Sequence, residues 1–73
     1  MTIFRQNLKS LRVLNGLTQE QLGEAIGASG RGIQNYELGA RKPNYDMLLA
    51  LADYFDVSLD YLTGRTNNPK VNK

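Results

Sequence analysis

The 73-residue sequence has no cysteine, no histidine and no tryptophan. Without cysteine, no disulfide can staple a small fold and no thiolate can bind a metal or attack a substrate. Without histidine, the commonest acid–base side chain and the remaining nitrogen ligand for zinc are missing too. The aspartates Asp46, Asp53, Asp56 and Asp60 are strung along one half of the chain as helix caps and dipole partners. Neither an enzyme nor a metal site is expected, and no cofactor or small-molecule ligand is evident. No apolar run approaches the roughly 20 residues of a membrane span, and no signal-peptide pattern opens the chain. A cytoplasmic protein with no membrane partner is expected. With only two prolines, at positions 43 and 69, long stretches are left free to be helical.

The apolar residues that are present recur strongly at helical spacing. Seventy-three residues suffice for one domain, close to the lower limit at which a core alone holds a fold. The net charge of +2 is too small to imply nucleic acid by itself, but it is unevenly spread. Residues 1–42 carry six Lys/Arg against three Glu, and residues 43–73 carry three Lys/Arg against four Asp. One pole of the domain should attract phosphates and the other repel them.

The chain is organised around residues 18–39, TQEQLGEAIGASGRGIQNYELG. Thr18 with Gln21 three residues on forms a capping box, which predicts a helix start. Leu22 and Ile26 share one face of that helix, and Gly27 stands where a left-handed terminus is wanted. Ser29 restarts a helix, Ile33 and Tyr36 point inward, and Gly39 stops it. Two such short helices with so short a joint must cross steeply, the helix-turn-helix arrangement whose second helix can enter a DNA major groove. Gly23 lies within the first of the pair, either because the next helix approaches closely or as a tolerated surface glycine. At about 100° per residue, Tyr36 and Glu37 fall near Ile33, and Arg31, Asn35 and Leu38 fall opposite with Gln34 beside them. A guanidinium and a carboxamide one turn apart can read base edges; on composition alone, the same stripe suits a solvated helix face.

Around this pair, Thr2 can cap a first helix to about Leu14, ended by Gly16, with Phe4, Leu8 and Leu11 as its buried stripe. Arg12 flanks that stripe, and Arg5 and Lys9 lie further round, facing water or phosphate. Leu17 precedes the Thr18 cap as a hydrophobic staple. Ala40-Arg41-Lys42-Pro43 is a basic loop, placing Arg41, Lys42 and the helix-one Lys9 as phosphate contacts. Asn44 caps a fourth helix with Leu48, Leu51, Ala52 and Phe55 on one face and Asp46 in its first turn, where the dipole favours an anion. Ser58 caps a short fifth helix that ends at Gly64. Residues 1–65 form the expected domain. The aperiodic tail, residues 66–73, is expected to be disordered.

These residues resemble the lambda-repressor-like helix-turn-helix family of phage Cro proteins, repressors and xenobiotic-response-element regulators. The resemblance is carried by Gln19, Leu22-Gly23, Ile26-Gly27, Ser29, Ile33, Tyr36-Glu37 and Gly39, then Lys42-Pro43, Leu48, Leu51-Ala52 and the run Ala52 to Leu62 with Gly64. It covers residues 3–65. It implies an all-α, compact five-helix domain, a transcriptional role, and a symmetric homodimer on a pseudo-palindromic double-stranded DNA operator. By position it implies base contacts from Ser29, Gly30, Arg31 and Asn35, joined by Gln34 from the helical face. It likewise implies phosphate contacts from Thr18 and Gln19 at the start of the second helix. Joined to the wheel argument, it implies a partly buried Arg12–Glu37 ion pair. Gly23 stands where the family usually has alanine, and Gly30 and Gly32 where it has polar, better helix formers.

The expected function is therefore a sequence-specific regulator, a repressor of a phage or mobile element. An antitoxin or a restriction–modification controller protein would use the same chemistry. A protein-binding module, whose outward helix docks another protein, is the alternative from a different class.

Overall fold

Five helices fill residues 2–62 of the computed structural model, which describes residues 2–70, with side chains from residue 3. They are α1 (Thr2–Leu14), α2 (Gln19–Ala25), α3 (Gly30–Leu38), α4 (Tyr45–Phe55) and α5 (Leu59–Leu62). Thr18, Ser29, Asn44 and Ser58 each stand in extended backbone just before a helix, and each side-chain oxygen accepts a hydrogen bond from the backbone N–H three residues on. At α2 the box is reciprocal: the Thr18 N–H donates to Gln21 Oε1 at 2.9 Å. The helix α1 begins on Thr2 itself, so the cap expected from that side chain lies outside the described residues.

All five helices end in the same way. The N–H two residues past each last turn reaches back five residues, as in Ala28 to the Gly23 carbonyl at 2.7 Å and Val57 to the Ala52 carbonyl at 2.9 Å. This Schellman geometry needs one residue in the left-handed region. Gly16, Gly27, Gly39 and Gly64 supply it at four ends, and Asp56, with φ of 54°, supplies it at the fourth helix. Aspartate tolerates that conformation better than most side chains.

Phe4 and Leu8 of α1, Leu22 of α2, Ile33 of α3, Leu51 and Ala52 of α4, Val57 of the turn that follows and Leu62 of α5 make one buried core. Leu11, Leu17, Ile26, Tyr36, Leu48 and Phe55 pack around it. Asn7, on the flank of α1, donates its Nδ2 to the Tyr61 and Leu62 carbonyls at 2.9 and 3.3 Å. That tie satisfies two end carbonyls of the short α5 and fastens it to α1. Residues 66–70 are exposed and irregular, with two local bonds, Asn68 N–H to Thr66 Oγ1 and Lys70 N–H to Asn68 Oδ1, and a bond from the Ser58 N–H to the Pro69 carbonyl at 3.0 Å; residues 71–73 lie outside the described residues.

Gly23 is buried, and a Cβ there would run into the Ser29 carbonyl group and lie 2.8 Å from the Gly30 nitrogen. Close approach of α3, not surface tolerance, is the reason for this glycine. Gly30 returns the contact: a Cβ there would lie 3.0 Å from the Glu20 Cα. Gly32 differs, since a Cβ would meet only the Ser29 Oγ at 3.4 Å. No close approach of α2 accounts for it. Gly23→Ala is expected to destabilise the fold by about 1–3 kcal/mol, because backbone must move to admit the methyl. Gly32→Ala is expected to stabilise it by about 0.5–1 kcal/mol through helix propensity and a less flexible unfolded chain. Thermal melts of the two variants should therefore shift in opposite directions.

Candidate nucleic-acid interface

The joint of α1, α2 and α3 is fixed by one polar network. Arg12, in the last turn of α1, donates Nε to Glu37 Oε2 at 2.6 Å and Nη2 to Glu37 Oε1 at 3.1 Å. Its Nη1 donates to the Leu17 carbonyl at 2.9 Å, closing the turn into α2. Gln19, the first residue of α2, adds its Nε2 to Glu37 Oε1 at 3.2 Å. The two charged side chains are only 13% and 5% exposed. The expected ion pair is present, and it holds the two crossing helices against α1.

With Ile33 buried and Glu37 tied down, the other side of α3 is set. Arg31 and Gln34 are exposed, and Asn35 is half-buried beside them. Leu38, on the same side, is 64% exposed. Ser29 is exposed at the start of the helix, its Oγ accepting from the Gly32 N–H at 3.0 Å, which leaves its hydroxyl proton to donate outward. Gly30 presents only backbone, because its Cβ direction points into α2. At the start of α2, Thr18 is exposed and Gln19 half-buried, with its amide oxygen left as an acceptor once Nε2 is bound to Glu37.

The basic loop is attached directly to this face. The Asn35 carbonyl accepts from the Ala40 N–H at 2.9 Å and from the Arg41 N–H at 3.3 Å. A displacement of the α3 end therefore carries Arg41 and Lys42 with it. Among the described residues the ion pairs are Arg12–Glu37 and Arg65–Asp60, and Lys9, Arg31, Arg41 and Lys42 belong to neither. Arg41 and Lys42 line one recess together, whereas Lys9 lines another with Gln6, Ser10, Val13 and Leu14.

Arg5 departs from its expected place. It is half-buried, donating Nη1 to the Leu38 carbonyl at 3.1 Å and filling the space over Gly39. A cation at a helix C-terminus satisfies orphan carbonyls and opposes the negative end of the dipole. Its partner lies 33 positions away in sequence, so no local pattern announces it. Asn7 likewise bonds carbonyls 54 and 55 positions away, beyond the reach of any local pattern.

A sequence profile described as helix-turn-helix matches residues 8–62. The chain belongs to the lambda-repressor-like helix-turn-helix family. That family is a non-enzymatic class of DNA-binding transcriptional regulators. Among similar proteins is YobD of Bacillus subtilis (strain 168), an uncharacterised helix-turn-helix-type transcriptional regulator, 42% identical over 67 residues, covering 92% of this chain and 60% of YobD. YqaE of the same organism, described likewise, is 39% identical over 69 residues, covering 94% of this chain and 60% of YqaE. The chain thus spans about 60% of the length of these relatives. The P22 c2 repressor, solved in complex with the synthetic operator 9T, superposes with a TM-score of 0.79 at 29% identity, over 85% of this chain and 94% of that one.

Proposed function

We propose that this chain is a transcriptional repressor of a phage or mobile element, acting in the cytoplasm of a bacterium as a homodimer on a pseudo-palindromic operator. The observation that carries it is the outward face of α3, polar apart from Leu38 and opposite a fully buried Ile33, with a basic loop hydrogen-bonded to its last turn. In this reading α3 enters the major groove. Arg31, Gln34 and Asn35 reach base edges, and Ser29 and the Gly30 backbone meet them at the helix start. Thr18, Gln19, Arg41 and Lys42 hold phosphates on either side, with Lys9 as an outlying phosphate contact. Repression then needs only occupancy of a promoter, which DNA binding by itself supplies. The P22 c2 repressor, bound to an operator in its solved complex, supports the reading through its similar fold.

Operator selection from a random duplex pool, followed by footprinting, tests it. Two recognition helices of a dimer sit about 34–36 Å apart, so the protected half-sites should repeat at roughly 10–10.5 base pairs. A single unrepeated half-site at saturation overturns the dimer. Lys42→Ala should weaken binding to all sequences alike and flatten the dependence of log K on log salt by about one unit per subunit. An unchanged slope places Lys42 outside the interface.

A further inference from the structure

Between α1, α3, the 40–43 loop and α4 lies a cavity of about 130 Å³, lined in part by two of the proposed phosphate contacts, Arg41 and Lys42. Phe4, Tyr36, Pro43 and Leu48 give it apolar walls, and Arg41, Lys42 and the Arg5 that donates to the Leu38 carbonyl also line it. Phe4 is buried and Tyr36 and Leu48 are half-buried, whereas Arg41 and Lys42 are exposed. The apolar groups therefore lie deeper and Arg41 and Lys42 stand at the mouth, while Arg5 is half-buried against the end of α3. Among the described residues no acidic side chain lines the space.

We propose that this cavity binds a small carboxylate built on a single six-membered ring. A dry engineered cavity of about 150 Å³ accommodates benzene, so the space present here suits one ring. The apolar walls favour burial of the ring. A carboxylate at the mouth meets a guanidinium fork and an ammonium, the strong charge-assisted pairing that inorganic anions could make only by leaving the walls unfilled. The consequence for DNA rests on the function proposed above. Arg41 and Lys42 cannot serve a bound carboxylate and two phosphates at once, so the ligand releases the operator.

Benzoate is the probe, titrated into the full chain at constant ionic strength and followed by amide NMR. Saturable shifts are expected around Tyr36, Gly39, Lys42 and Leu48, with benzamide and acetate each binding about tenfold more weakly or less, since one lacks the charge and the other the ring. Leu48→Phe, which fills the cavity, should abolish the shifts. If that variant does not fold, the exposed pair Arg41→Gln/Lys42→Gln should reduce benzoate to the level of benzamide. Absence of saturable shifts, or equal binding of benzoate and acetate, overturns the site. With operator present, benzoate should weaken wild-type binding and lower its salt slope by about two units per subunit. Loss of DNA binding in every condition, with benzoate shifts intact, would instead sink the operator reading and leave the ligand site standing.

Discussion

Arg12→Met is expected to destabilise this domain by about 3–5 kcal/mol, the cost of leaving one member of a buried ion pair without its partner. Glu37 has only 5% of its side chain exposed, so solvent cannot replace the guanidinium. The Gln19 amide is then the only donor left to it among the described residues. The Leu17 carbonyl loses its partner too, which loosens the turn between α1 and α2. A domain of this length has roughly 4–11 kcal/mol of total stability at typical values per residue, so the variant should sit near its unfolding transition at room temperature. Glu37→Gln keeps one acceptor for Arg12 but removes the charge, and should cost less. The double variant should lose less than the sum of the two, since each single change already forfeits the shared interaction. Urea midpoints of the four proteins in the cold supply the cycle. Additive losses would mean that the contacts at 2.6 and 3.1 Å contribute no coupling energy.

What the sequence discloses of this fold is what is local. Thr18, Ser29, Asn44 and Ser58 announce helix starts because a cap and its N–H partner are three residues apart. Gly16, Gly27 and Gly39 announce helix ends because only glycine enters the left-handed region without strain. The end of α4 is harder to read, since Asp56 takes that role without the usual residue. The Arg12–Glu37 pair is 25 positions apart, and it is foreseen only because a helical wheel and a family resemblance point to the same two flanks. Arg5 over Leu38, Asn7 on α5 and Gln19 on Glu37 had no such double signal. Gly30 and Gly32 look alike in the sequence, yet one faces the Glu20 backbone and the other only its own cap. Their difference depends on how closely α2 and α3 approach, a distance that periodicity does not encode. The cavity beneath the basic loop is likewise a product of packing among four separate segments.

Arg31→Ala should relax the sequence preference at one base pair of each half-site, and Asn35→Ala should relax a neighbouring one. The two positions are one helical turn apart, on the side of α3 opposite Ile33, so both can enter the groove together. An arginine fork matches the O6 and N7 of guanine, and an asparagine amide matches the N6 and N7 of adenine, each good pair contributing about 1–3 kcal/mol of discrimination. Their surroundings separate the two. Arg31 is exposed and in no ion pair among the described residues, so it can adapt its long side chain to a guanine. Asn35 is half-buried, and its carbonyl holds the basic loop through the Ala40 and Arg41 N–H groups. The backbone there is anchored, which limits the short amide to a narrow range of positions in the groove. Arg31→Ala should therefore cost more affinity but leave neighbouring preferences intact, while Asn35→Ala should alter one position with little change in overall binding. Competition over single-base operator variants, with wild type and each mutant, reads both effects. If each mutant loses affinity equally for every variant, these side chains hold phosphates, and α3 does not read the operator through them.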